Sequence, residues 1–260
     1  MPAPRSAEAM PVRDVPARQL PLDLPPMENR SRADFLVGPA NEPALALIDG
    51  WPHWPARAVA ITGPAGAGKS HLAALFAEAS GARIVPAAAL RRETVPEALA
   101  AGALVLEDLG EGGLDEAALF HLLNLVGEQQ AHLLVTSRQL PAVLAGTLAT
   151  RDLASRLRAM PAVRLGAPDD ALLAAVAVKL FADRQITPDE ALIGYLMARV
   201  ERSYAAIGAL IAELDREALA RKRPLTRALA AELLRARAEP DAEDDGRAAG
   251  DHRDTADEGD

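Results

Sequence analysis

The stretch Gly63-Pro64-Ala65-Gly66-Ala67-Gly68-Lys69-Ser70 carries the residue types that bind a polyphosphate, in the order this chemistry needs. Glycines let the backbone wrap close to an anion, successive N–H groups turn inward, and a helix opening at the end of the loop adds its positive dipole end. Lys69 can reach the β- and γ-phosphates, and the Ser70 hydroxyl can hold Mg2+. The flanks agree: Ala58-Val59-Ala60-Ile61 is an apolar run that reads as a strand, and His71 to Phe76 has a helical pattern. The alternative is a Gly/Pro loop that only turns the chain. It is disfavoured because all four fixed residues of a P-loop and both flanks are present. A nucleoside di- or triphosphate is the expected ligand.

Three further places could serve that ligand. Glu107-Asp108 closes the apolar run Ala103–Leu106. A carboxylate at the C-terminal edge of a buried strand beside a P-loop can orient Mg2+ through water. Its neighbour can position the water that attacks a γ-phosphate. The competing reading is an acidic pair that merely ends a strand. Thr136-Ser137, at the end of another strand, offers hydroxyls that could sense the γ-phosphate, although Ser and Thr end many strands. Arg156, in Arg151-Asp152-Leu153-Ala154-Ser155-Arg156-Leu157, is of the type that stabilises charge on a transferring phosphoryl group, in cis or in trans. With 25 Arg against 3 Lys in the chain, a plain surface arginine is an equal alternative on spacing alone.

Composition limits the other possibilities. Half of the 260 residues are hydrophobic and only 3% aromatic, so Ala and Leu must fill the interior. No apolar run approaches eighteen residues, and the N-terminus lacks the apolar core of a signal peptide; a cytoplasmic protein without a membrane span is expected. The absence of cysteine excludes disulfides and thiolate metal sites. The five histidines show no metal-ligand spacing. The net charge of −9 is concentrated in 239–260, where ten acids face Arg247 and Arg253 and contribute −8. The near-neutral remainder is not the footprint of a domain that binds DNA sequence-specifically.

The elements that must position these residues follow from periodicity. Short apolar strands at 58–61, 83–85, 103–106, 132–136 and 162–165 alternate with helices, which implies a five-stranded parallel sheet covered on both faces. Apolar spacing at Leu119, Leu122, Leu123 and Val126 marks one covering helix. After Pro168 the strands stop, and helices are expected at about 169–183, 188–200, 203–221 and 226–237. Thr187-Pro188-Asp189-Glu190 predicts a capping box with Thr187 as N-cap. Leu192, Leu196 and Val200 are expected on one face of that helix, and Leu210, Leu214 and Leu219 on one face of the next. Trp51 and Trp54 read as packing residues.

The organisation is therefore a disordered segment at 1–18, a short peptide at 19–26, a nucleotide-binding α/β domain at 27–166, a helical domain at 167–238 and an acidic disordered tail at 239–260. Gln19-Leu20-Pro21-Leu22-Asp23-Leu24 is held extended by its prolines. Extended apolar peptides of this kind dock into partner grooves, although on sequence alone a chance apolar patch in a tail stands slightly ahead.

With these residues assembled, the chain resembles the DnaA-related AAA+ ATPases, and among them the short Hda-type regulators. The resemblance runs from about Gln19 to Leu234 and covers six segments: Asp34-Phe35-Leu36-Val37-Gly38 with Asn41, the Gly-Lys-Ser-His-Leu end of the loop, Glu107-Asp108, Val135-Thr136-Ser137, Asp152 to Leu157, and Gln19 to Leu24. It implies a three-layer P-loop (AAA+) domain with a five-stranded parallel sheet and a small helical lid. ADP or ATP with Mg2+ would be held by Val37, Gly38, Asn41, Gly63, Gly66, Gly68, Lys69, Ser70, His71, Glu107, Thr136 and Arg202, with Ser70 and Glu107 on the Mg2+ side. Asp108 and Arg156 would have catalytic roles, Arg156 as an arginine finger acting in trans on the ATP of the DnaA initiator. Gln19, Leu20, Leu22 and Leu24 would bind the DNA polymerase III sliding clamp. Self-association is left open.

Three departures from the family pattern weaken the expectation of ATP turnover by the chain itself. Glu107 replaces an Asp, Arg138 follows Thr-Ser where an acid is usual, and Ala205 stands at the lid's sensor arginine, with Arg202 one turn earlier. After Ala238 the chain passes into the acidic tail, where an initiator would carry a helix-turn-helix domain, so a regulator is expected rather than an initiator. Rival readings are a helicase loader or initiator-like ATPase, and a nucleotide-locked adaptor.

Overall fold

A computed structural model describes residues 31–238. The peptide at 19–26 and both segments expected to be disordered lie outside these residues. Five strands, β1 (Ala58–Thr62), β2 (Arg83–Pro86), β3 (Ala103–Leu109), β4 (His132–Ser137) and β5 (Ala162–Arg164), form one parallel sheet in the order β2-β3-β4-β1-β5. The central strands are apolar on both sides because both faces are covered, whereas β2 and β5, at the edges, are largely exposed.

Strand alternation divides the side chains cleanly between two cores. Val59, Ile61, Val105 and Leu134 face α1 (Glu42–Asp49) and α2 (Lys69–Ser80), where Leu45, Ile48, Leu72 and Phe76 complete one core. Ala60, Leu104, Leu106, Leu133 and Val135 face the other way. There they meet α3 (Val95–Ala98), α4 (Glu116–Glu128) and α6 (Arg151–Ala159) through Val95, Leu119, Leu122, Val126, Leu153 and Leu157. Short α5 (Pro141–Leu144) links β4 to α6. This three-layer arrangement is the expected one. Trp51 and Trp54 pack against Phe76 and His132, ring centroids 4.8–6.1 Å apart, and so serve packing as the sequence suggests.

The lid consists of α7 (Asp170–Asp183), α8 (Glu190–Met197), α9 (Tyr204–Arg221) and α10 (Arg227–Ala238) around its own core of Phe181, Leu192, Leu196, Ile207, Ile211 and Leu229. Two expectations are corrected here. The N-cap of α8 is Asp189, whose carboxylate accepts from the Leu192 N–H, so Thr187 and Pro188 lie before the helix. Aspartate caps better than threonine, and it wins the position. Leu219 is 72% exposed. Five residues past Leu214 amount to about 140° of extra rotation, so Ala218, four residues on, takes the buried place.

Candidate functional site

β1 runs directly into the glycine loop, and α2 opens at Lys69 with Gly68 as its N-cap in the left-handed region, φ 96°. The His71 and Leu72 N–H groups turn back to the Gly68 carbonyl at 3.1 and 3.2 Å. The N–H groups of Lys69 and Ser70, in the first turn, have no intrahelical acceptor and face the loop. Lys69 is 7% exposed, and its ammonium donates to the Gly63 and Pro64 carbonyls, both at 2.9 Å. Burial holds its pKa below the ordinary lysine value, opposed mainly by the Asp108 carboxylate and, further down, by Glu111 and Glu107. These groups share one charged cluster at the C-terminal edge of the sheet.

β3 ends in an irregularity that the sequence does not reveal. Its register with β4 shifts between Leu106 and Leu109, and Asp108 has φ 57°. A non-glycine residue there is strained by roughly 1–3 kcal/mol. The Asp108 N–H is compensated by the Thr136 hydroxyl at 3.1 Å. The bulge turns Asp108 outward to solvent while Glu107 stays half-buried. Oε1 of Glu107 is fully buried with no hydrogen-bond partner among the described residues. An orphaned carboxylate oxygen beside the P-loop fits a bound cation. Among the described residues no cluster of three or more metal-ligating side chains occurs, and Mg2+ at P-loops takes few protein ligands.

Thr136 and Ser137 are both fully buried. Ser137 is committed to structure: its hydroxyl donates to the Leu109 carbonyl at 2.7 Å and accepts from the Gln139 N–H at 3.2 Å. Of the two hydroxyls, Thr136 is the one next to the bulge. Arg138, just beyond, pairs with Glu111.

On the opposite side, Asn41 is 2% exposed, and both ends of its amide serve the loop before α1. Oδ1 accepts from the Gly38 N–H at 2.8 Å and Nδ2 donates to the Leu36 carbonyl at 2.9 Å. Asn41 thus shapes the segment carrying Val37, which is 50% exposed. Phe35 meets His71 edge-on at 5.1 Å.

The lid closes on the P-loop through the start of α9, a contact the sequence does not disclose. The Tyr204 N–H donates to the Gly66 carbonyl at 2.9 Å. Gly66 has φ 69°, and a Cβ on it would lie 2.9 Å from Ser203 and 3.0 Å from Ala205. Ala205 therefore sits over the loop. Arg202 is not part of this contact; it is 67% exposed and pairs with Asp170 at 3.0 Å. Gly66→Ala is expected to destabilise by about 1–3 kcal/mol and to part the lid from the loop. Gly127→Ala, inside α4 where a Cβ meets nothing within 4 Å, should instead stabilise by about 0.5–1 kcal/mol; urea unfolding of both variants measures the difference.

Arg156 lies elsewhere. It lines a cleft with Arg57, Ala58, Gly127, Met160 and Pro161, at the end of the sheet where β1 begins. The P-loop leaves the other end of β1, about 15 Å away at roughly 3.3 Å per residue. The Arg156 guanidinium is 40% exposed, pairs with Asp152 at 3.3 Å and lies 5.1 Å from the centre of the Phe120 ring. The structure brings together Gly63, Gly66, Gly68, Lys69, Ser70, Glu107, Asp108 and Thr136; Val37, Gly38 and Asn41 lie in the segment before α1, which meets His71 through Phe35. It leaves Arg156 apart, and Arg202 is turned to Asp170; residues 19–24 lie outside the described part of the chain.

The fold is a three-layer α/β domain with a five-stranded parallel sheet, followed by a helical part, as in solved AAA+ proteins. Domain III of the Thermotoga maritima replication initiation protein DnaA is similar at TM-score 0.65 and 18% identity, covering 82% of this chain and 98% of that one. The branch-migration motor RuvB from Thermotoga maritima is similar at TM-score 0.63 and 15% identity, over 80% of this chain and 72% of that one. AMPPCP-bound DnaA from Aquifex aeolicus is similar at TM-score 0.55 and 19% identity, over 69% of this chain; the chain spans 63% of that longer protein. At these identities the likeness is one of fold. No protein-family model and no curated protein matches the sequence. Among the described residues no helix is long and apolar enough to cross a membrane.

Proposed function

We propose that the chain is an Hda-type regulator of replication initiation, which binds ADP or ATP in cis and stimulates hydrolysis of initiator-bound ATP in trans. The observation that carries this reading is the position of Arg156. It is exposed, in the segment that resembles the Hda finger, and on the opposite end of the sheet from its own P-loop. A phosphate that it serves must belong to another molecule.

In cis, the glycine loop, Lys69 and the start of α2 would hold the phosphates, with Ser70 and Glu107 on Mg2+; the metal would neutralise phosphate charge. Val37, Gly38 and Asn41 form the adenine side. Asp108 and Thr136 stand where a terminal phosphate and its water would lie. Ala205 over Gly66 brings no guanidinium to that phosphate, and Arg138 is occupied by Glu111. Own turnover is accordingly weak, and the nucleotide chiefly sets the orientation of lid and sheet. Nucleotide-bound DnaA of the same fold supports a nucleotide ligand. Gln19, Leu20, Leu22 and Leu24 would recruit the sliding clamp, in the cytoplasm where replication is under way.

The test compares steady-state ATP hydrolysis by the chain alone, by the initiator alone, and by both on clamp-loaded DNA. Stimulation only in the mixture is expected, and it should fall to the initiator's own rate when Gln19 and Leu24 are replaced by Ala. A helicase loader would instead show its own DNA-dependent turnover, removed by Lys69→Ala.

A further inference from the structure

The segment before α1 touches both the sheet domain and the lid. On the sheet side, buried Phe35 packs edge-on against His71 of α2, and the Ser31 carbonyl lies 3.2 Å from His71 Nε2. On the lid side, Gly38 packs so closely on Leu172 of α7 that a Cβ would come within 2.8 Å. Two turns along α7 from Leu172, Lys179 Nζ lies 2.7 Å from Asp34 Oδ1. Both side chains are sheltered, 14% exposed for Asp34 and 25% for Lys179.

Each partner is held in place by a second contact. The Ser31 hydroxyl donates to Asp34 Oδ2 at 2.6 Å, and Asp183 pairs with Lys179 at 3.0 Å. Other ion pairs of the lid differ in kind. Arg202–Asp170 is two-thirds exposed at both ends, and Arg184–Asp215 joins the end of α7 to α9 within the lid itself. Exposed pairs contribute little to geometry or stability. Asp34–Lys179 is sheltered and joins the lid to the strip of chain that carries Val37 and Gly38.

We propose that the Asp34–Lys179 ion pair is a latch that holds the lid closed over bound nucleotide and thereby sets the rate at which nucleotide leaves. Lys179 is a positioning residue here; it acts through Asp34 and the segment behind it. The inference rests on the nucleotide-binding reading above and adds how retention is controlled. The mutual hydrogen bond also holds the Asp34 carboxyl below, and the Lys179 ammonium above, their ordinary pKa values. The pair is therefore charged throughout the neutral range. Affinity differences among variants of one binding site appear mostly in dissociation, so the latch is expected to act there and to leave association nearly unchanged.

The experiment is stopped-flow release of a fluorescent ADP analogue from the full chain, with association measured in parallel and Lys69→Ala marking specific signal. Lys179→Met and Asp34→Asn are each expected to speed release roughly tenfold, the size of coupling found between contacting groups. Association should not change, Lys179→Arg should keep near-wild-type release, and the Asp34→Asn/Lys179→Met double variant should be no faster than either single. Wild-type release rates in Lys179→Met and Asp34→Asn overturn the latch, as do strictly additive effects in the double variant. If the wild-type chain binds no nucleotide at all, the nucleotide reading itself falls and the latch with it.

Discussion

Replacing Arg156 by Ala is expected to leave the fold and nucleotide binding intact while removing the stimulation of initiator ATP hydrolysis. An arginine finger supplied in trans is worth about 10^3–10^5 in rate, because it meets charge that develops only as the phosphoryl group transfers. The cost to stability should be small. The pair with Asp152 is surface-exposed, and such pairs contribute about 0–1 kcal/mol. The contact with Phe120 adds about 0.5–1 kcal/mol. A variant that melts within a few degrees of wild type and binds ADP normally, yet fails to stimulate, would separate trans chemistry from folding. Arg156→Lys should rescue little, since an ammonium lacks the planar fork that engages two phosphate oxygens.

Lys69→Ala is expected to abolish nucleotide binding at micromolar concentrations. A charge-assisted hydrogen bond is worth about 1.5–3 kcal/mol, and Lys69 can direct two of them at phosphate oxygens. Their loss corresponds to a weakening of about 10^2–10^4, at 1.4 kcal/mol per factor of ten. Equilibrium titration with a fluorescent ADP or ATP analogue measures it. Folding should suffer far less, because the buried ammonium already bears a desolvation penalty that depresses its pKa. If nucleotide sets the relation of lid to sheet, the same variant should lose stimulation of the initiator as well. Equal losses in Lys69→Ala and Arg156→Ala would then have different origins, one in cis and one in trans, which nucleotide binding distinguishes.

Much of the fold is legible because its strands are uniformly apolar and its helices alternate with them. The central strands Ala58–Thr62 and His132–Ser137 are buried along nearly their whole length, and burial on both faces leaves a plain signature. The end of β3 is not legible. Acidic residues ordinarily stop a strand, yet β3 runs on to Leu109 through a bulge at Asp108, held by the Thr136 hydroxyl. That long-range hydrogen bond has no local sequence signal. The capping box at Thr187 fails for a local reason, since a stronger cap stands two residues on at Asp189. Leu219 fails because a helix turns 100° per residue, so a 4-then-5 spacing leaves the face.

The site divides in the same way. The glycine loop, Lys69 and Ser70 are readable from spacing because loop chemistry is local. The docking of Ser203, Tyr204 and Ala205 on Gly66, and the pairing of Asp34 with Lys179, join residues far apart in the chain. They depend on how the lid sits, which no motif encodes. Asn41 shows a further limit: its amide shapes the Leu36–Gly38 loop and its side chain also hydrogen-bonds Tyr204 of the lid, contacts that no local pattern discloses.

The most direct measurement of the central claim is single-turnover hydrolysis of labelled ATP pre-bound to the initiator and freed of excess nucleotide. The labelled complex is mixed on clamp-loaded DNA with wild-type chain or with Arg156→Ala. The account predicts rapid conversion to ADP with the wild type and only the initiator's own slow rate with the variant. Equal acceleration by both would contradict it.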